Sequence, residues 1–218
     1  MNSKMNEREL LNLLLSLLSR TTPHGQERTL APLLPAGGGW DEADNYIIEI
    51  GNSTTLFACH LDTVCAERVK TKPCLRDGMI YSAKQRCPLG ADDKAGILCL
   101  TAMIHANIPG VYVFHAGEEC GGVGANYIAE LYNLDQFKRA VEFDRRGINS
   151  VITKMGWEVT CSDTFAHALC GQLGMGFFPD PTGVYTDVLS YTDTIPEVTN
   201  ISVGYYANHT AKEALNAA

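Results

Sequence analysis

The chain has 218 residues, of which 45% are apolar and 19% charged, with no run of like charges, no low-complexity stretch and no internal repeat. That length buries a proper core without disulfide staples, and the composition excludes a disordered tail. A formal charge of -8, from 17 basic against 25 acidic residues, argues against a nucleic-acid binder, whose electrostatic footprint is a basic patch. Two divalent cations would halve that charge.

In chain order, the leucines from Leu10 to Leu18 predict a core-docking helix; the run is far too short to span a bilayer and lacks the basic polar face of a membrane-surface helix. Pro23 and Gly25 break the pattern before a second helix that runs to about Leu34. Tyr46 to Ile50 and Thr54 to Cys59 read as strands flanking a Gly51-Asn52 turn, and Met79 to Ser82 as a short one. Helical spacing recurs over Lys94 to Ala106 and Val123 to Leu134, with a buried strand at Val111 to Phe114 between them. Ala140 to Phe143, Val151 to Met155 and Asn200 to Val203 supply further strands, and helices are expected at Asp163 to Leu173 and Thr210 to Asn216. Strands alternating with helices predict one three-layer α/β/α domain, residues 1–218, around a mostly parallel mixed sheet.

Eight cysteines form no Cys-x-x-Cys pair and accompany no secretory signal, so reduced thiols and a cytoplasmic location are expected. A cysteine-hydrolase reading through Cys120 finds no histidine placed by motif to activate it, and the neighbouring Glu119 would raise the thiol pKa.

The ionisable residues carry the functional signal. His60 and Asp62 follow one expected strand, Glu118 and Glu119 another, Asp144 a third and His209 a fourth. In open α/β sheets the ligand crevice forms beyond the carboxyl ends of strands, so these groups converge on one rim. Asp62 is placed to accept the distal ring proton of His60 and strengthen it as a metal ligand. Asp92-Asp93 precedes a helix; capping explains one aspartate, leaving the other to bridge two cations. Glu118-Glu119 sits in a glycine-rich turn, where one carboxylate serves a metal and the other handles protons. Asp144 and His209 read either as metal ligands or as helix caps. Arg145 and Arg146 read as substrate-binding groups or as charge compensation for the acidic rim, and Thr186-Asp187 equally as a helix start or as functional residues.

His60-Leu61-Asp62-Thr63-Val64, Gly90-Ala91-Asp92-Asp93-Lys94-Ala95-Gly96, Gly117-Glu118-Glu119, Phe143-Asp144 and His209 with Glu213 resemble, in order, the zinc-dependent exopeptidases related to tripeptidase T, glutamyl aminopeptidases, carboxypeptidase G and acylamino-acid deacetylases. The segment Thr22-Pro23 with Gly25 and Glu27 is similar too. The resemblance implies that Asp92 bridges two zinc ions, for which cobalt or manganese can substitute. It further implies that His60 and Asp144 complete one ion, that Glu119 and His209 complete the other, and that Glu118 is the general base. It also implies a cis peptide bond between Asp92 and Asp93.

Many such relatives insert a lid or dimerisation domain, for which the stretches between His60 and Asp92 and between Asp144 and His209 leave no room. The expectation is therefore a minimal aminopeptidase-like enzyme acting on short peptides through a metal-bridging hydroxide. The alternatives are an amidase acting on N-acyl amino acids by the same mechanism and a catalytically silent metal-binding protein. Neither a nucleic-acid nor a membrane partner is expected, and self-association into a homo-oligomer stays open.

Overall fold

The computed structural model describes residues 4–83 and 87–217. Helix α1 (Glu7–Leu17) starts at Asn6, whose side chain accepts the Glu9 N–H at 3.0 Å while the Glu9 carboxylate accepts the Asn6 N–H at 2.8 Å. This reciprocal pair satisfies donors that a helix start leaves open. Leu14, Leu17 and Leu18 are buried, so the leucine run does dock on the core. The expected second helix is a 3-10 segment, Glu27–Leu33, containing Pro32, which has no N–H to give a helical ladder.

Strands β1 (Gly39–Trp40), β2 (Tyr46–Ile50) and β3 (Thr55–His60) precede a hairpin of β4 (Pro73–Arg76) and β5 (Met79–Ser82). Helix α2 (Ala91–His105), β6 (Gly110–His115), α3 (Val123–Leu131) and β7 (Arg139–Arg145) follow. Next come β8 (Ser150–Ile152), the short pair β9 (Lys154–Met155) and β10 (Glu158–Val159), α4 (Asp163–Leu173), β11 (Phe178–Asp180) and β12 (Glu197–Ser202). The last strands are β13 (Tyr205–Tyr206) and β14 (Ala214–Asn216).

Eight strands form one sheet in the order β1-β2-β6-β3-β7-β12-β8-β11. Its centre, β6-β3-β7-β12, is parallel, and antiparallel pairings flank it at β1–β2, β2–β6 and β12–β8. Side chains alternate across it as a strand requires. Leu56, Ala58 and Val113 face a cluster with Ala125 and Ile128 of α3, whereas Cys59, Tyr112 and Phe114 face one with Ile97 and Leu100 of α2. Both faces are covered, giving the expected three layers.

A smaller antiparallel sheet, β13-β14-β5-β4, lies beside the large one. It corrects the helix expected over Thr210 to Asn216: there the chain makes a turn and then β14, with Leu215 opposite Ile80 of β5. Burial decides this, because Leu215 packs with Leu14, Leu18, Ile80 and Leu89, a tertiary gain that outweighs the helix propensity of Ala-Lys-Glu-Ala-Leu. No helix among the described residues is long and apolar enough to cross a membrane.

Candidate metal centre

The parallel centre of the sheet delivers the site. His60 is the last residue of β3, Asp144 lies near the end of β7, and Glu118 and Glu119 occupy a 3-10 turn just beyond β6. β6, β3 and β7 are neighbours, so three strand ends present their side chains along one rim.

Asp92 enters this rim from the start of α2, where its φ and ψ are non-helical and its peptide bond to Asp93 is cis, as the resemblance implied. The two aspartates divide the work. Asp93 caps the helix by accepting the Gly96 N–H at 3.0 Å, and its other oxygen accepts the His60 N–H at 3.1 Å. Both Asp93 oxygens thereby accept main-chain donors, and the residue also lies close to His60 and Asp144. Any Cβ at Gly96 would collide with the Asp93 carboxylate and the Phe143 carbonyl, so only glycine fits there.

Asp92 instead turns its carboxylate between two histidines. Its Oδ1 is 2.9 Å from His60 Nε2, and its Oδ2 is 3.1 Å from His209 Nε2. His60 Nε2 is also 3.6 Å from Asp144 Oδ1, and His209 Nε2 is 2.9 Å from Glu119 Oε1. His60, Asp92, Asp144, Glu119 and His209 thus meet in one place, and Glu118 joins them, offering an oxygen within 4.8 Å of ligand atoms of His60 and Glu119.

Around these groups lies a shell of orienting contacts. Asp62 accepts the N–H groups of Glu118 and Glu119 at 3.0 and 3.2 Å and lies 3.4 Å from His60 Nδ1, just outside a good hydrogen bond. Glu213 accepts the N–H groups of Gly90 and Asp92 at 2.7 and 2.9 Å, fixing the start of α2. Asp144 takes hydroxyls from Tyr205 at 3.0 Å and Thr186 at 2.9 Å, and Asn208 donates to Asp92 Oδ2 at 2.7 Å. Thr186 does stand at the start of a 3-10 helix, Asp187–Tyr191, but its hydroxyl serves Asp144 and Glu142 rather than the helix. Nothing local in the sequence marks Tyr205 or Asn208; for Glu142 the signal is an acidic residue inside the apolar run Ala140-Val141-Glu142-Phe143.

The electrostatics are those of a crowded acidic pocket. Burial, then the charges of Asp144, Glu119 and Glu142, pushes Glu118 up to about 9 against the pull of His60. Burial and Asp92 raise Asp144 to about 6, and burial and Asp144 raise Glu142 to about 8. Hydrogen bonds to Asp92 and Glu119 hold His209 up at about 10. Burial disfavours a charged His60, yet Asp144, Asp62 and Asp92 hold it well above the usual imidazole range. For Asp62 burial acts upward, but His60 and the Glu118 N–H leave its carboxyl below the usual range.

Cationic side chains nearby are engaged elsewhere. Lys94 is fully buried, donates to Thr63 Oγ1 at 3.1 Å, and is brought down to about 8 by desolvation. Arg145 Nη2 donates to the Thr182 carbonyl at 3.1 Å and hydroxyl at 3.0 Å and pairs with Asp180 at 3.4 Å. Arg146 is exposed. Both arginines line a cleft of about 170 Å³ together with Asp92, Glu118, Asp144 and His209, so the expected substrate groups border the site while Arg145 is held by its own partners.

No family model and no curated protein matches the sequence. The fold is found in solved peptidases. Aminopeptidase PepT of Bacillus cereus superposes with a TM-score of 0.74 at 16% identity, over 99% of this chain and 95% of that one. A tripeptidase of Staphylococcus aureus gives 0.73 at 18% identity, over 99% and 95%. The TET1 peptidase of Pyrococcus horikoshii, which can assemble into a tetrahedron or a large octahedral shell, gives 0.69 at 15%, over 94% of each chain.

Proposed function

We propose that this protein is a two-zinc exopeptidase that releases the amino-terminal residue of short peptides. One observation carries the reading: a buried carboxylate, Asp92, whose two oxygens face two different histidines, each with a further carboxylate beside it. In this assignment Asp92 would hold both ions, His60 and Asp144 would complete one, and Glu119 and His209 would complete the other. Imidazole nitrogens and carboxylate oxygens are the donors zinc takes in catalytic sites. The fit is also electrostatic, since the raised Glu118 and Asp144 mark negative charge that Lys94 and Arg145 do not offset.

Zinc held by these residues would supply polarisation of the scissile carbonyl and a water acidic enough to react near neutral pH. Glu118 then serves as general base, taking the proton of the attacking water and returning it to the departing nitrogen. Asp62 acts through His60, holding the ring so that Nε2 faces the centre. The peptidase fold of the solved neighbours and the names those proteins carry favour peptide bonds over other amides. We place the reaction in a single catalytic domain without an inserted lid, working in the cytoplasm, with cobalt or manganese able to replace zinc. Self-association is part of the proposal; the TET1 peptidase, which shares the fold, can assemble into a tetrahedron or a large octahedral shell.

The test is a metal-content measurement followed by assays on free and N-acetylated dipeptides before and after chelation. Two zinc ions per chain, and turnover only of substrates with a free amine, is the expected result. Turnover of the acetylated set alone would move the assignment to a deacylase, and full activity in verified metal-free protein would end the two-zinc reading.

A further inference from the structure

A second set of donors meets at Asp62. Ligand atoms of His24, Asp62 and Cys120 all lie within 4.8 Å of one another, the spacing of groups that share one ion. The three come from separate segments: the loop ahead of the 3-10 segment Glu27–Leu33, the end of β3, and the turn beyond β6. Gly117, with φ +70°, lets the His24 ring in, because a Cβ there would stand 2.8 Å from its Cε1 and Nδ1.

The proposed hydrolysis uses neither His24 nor Cys120, yet the surroundings are arranged around them. His24 Nδ1 lies 2.8 Å from Glu27 Oε1, the carboxylate–imidazole pairing that orients a histidine and makes it a stronger metal ligand. The Glu27 side chain is wholly buried, and its other oxygen, Oε2, has no hydrogen-bond partner among the described residues. A buried carboxylate oxygen without a donor is costly, and a water or a cation is what satisfies it. Cys120, by contrast, is exposed and open to an ion arriving from solvent.

A nucleophilic role for the thiol does not fit. Asp62 lies beside the exposed thiol and Glu119 precedes it in the chain, and their negative charge works against a free thiolate. A divalent cation reverses that balance, since it offsets the same carboxylates and takes sulfur as a ligand.

We propose that His24, Asp62 and Cys120, backed by Glu27, form a third metal site that takes a thiophilic divalent cation such as zinc or cadmium. On binding, the Cys120 S–H proton passes to solvent and the thiolate bonds to the metal. Exposure of His24 and Cys120 makes this the site that fills and empties most readily.

The donors assigned to the two-zinc centre include no sulfur, so a cadmium–thiolate charge-transfer band in the ultraviolet reports on this cluster separately. The protein, given two equivalents of zinc per chain, is titrated with cadmium while the band and the metal content are followed. We expect one further ion per chain, accompanied by the band. Cys120→Ser should abolish both, and His24→Gln should weaken cadmium binding by roughly tenfold or more. A wild-type protein without the band, or Cys120→Ser with the full band, overturns the proposal. A protein that holds fewer than two zinc ions but gives the Cys120-dependent band sinks the two-zinc reading and upholds this one.

Discussion

The two histidines of the candidate centre are built in opposite ways. His60 ends a central strand, has 1% of its side chain exposed, and is fixed by Asp93 at its N–H, by Asp62 beside Nδ1 and by Asp92 at Nε2. His209 has 47% of its side chain exposed and φ +62°, on a turn between two short strands of the small sheet. One half is part of the core, and the other is a clasp laid over it. A metal pair held this way would have a preorganised floor and an exposed ligand held chiefly by the carboxylates it meets. Mutations should therefore separate chemistry, floor and clasp.

The largest effect is expected at the group that belongs to neither half. Glu118→Gln keeps size and hydrogen-bonding capacity but cannot take a proton, so turnover should fall by roughly two to four orders of magnitude with metal content and thermal stability near wild type. Steady-state kinetics beside metal analysis check this. Metal loss in Glu118→Gln as large as in Glu119→Gln would show the two roles reversed.

Next comes the floor. His60→Ala removes a buried ring and leaves Asp92 and Asp144 facing each other without it, which should cost about 3 kcal/mol of stability even in metal-free protein. Urea unfolding of chelated samples measures that directly. A change below about 1 kcal/mol would mean that the strand end relaxes and that the floor is not preorganised.

Behind the floor, Thr186 gives a smaller test. Its hydroxyl is 2.7 Å from Glu142 Oε2 and 2.9 Å from Asp144 Oδ2, but one hydroxyl carries one proton, so the second contact needs a proton on a carboxyl group. Burial supplies the reason, raising Glu142 to about 8 and Asp144 to about 6. Thr186→Val keeps the shape and removes the shared hydroxyl, for an expected loss of about 2 kcal/mol, and Thr186→Ser should recover most of it. Equal stability of the valine and serine variants would show that the hydroxyl orients nothing.

The same division governs what the sequence reveals. His60-x-Asp62, Asp92-Asp93 and Glu118-Glu119 stand out because carboxylates crowded at strand ends are expensive unless cations or main-chain donors receive them. Thr186, Tyr205 and Asn208 do not, because hydroxyls and amides occur everywhere and their partners are set only by the fold. The long central strands and α2, α3 and α4 follow from apolar periodicity. β1, β4, β10, β11, β13 and β14 are edge or two-to-four-residue segments whose pairing is decided by tertiary contacts, and β14 was legible only as a helix. Neither the His24–Cys120 approach nor the clasp geometry of His209 has any local signature, since both depend on loops meeting across the molecule.

His209 gives the smallest stability effect and the sharpest contrast with His60. With nearly half of its side chain in solvent, its contacts with Asp92 and Glu119 are screened, so His209→Ala should change the stability of metal-free protein by less than about 1 kcal/mol. Loaded protein should behave differently, because the variant removes one ligand from one ion while His60, Asp92 and Asp144 remain. We expect one zinc ion per chain in place of two, and a smaller thermal stabilisation on adding zinc than in the wild type. His60→Ala should instead lose stability in both states. If His209→Ala and His60→Ala destabilise the chelated protein equally, the turn carrying His209 is as much a part of the core as the strand carrying His60, and the floor-and-clasp distinction fails.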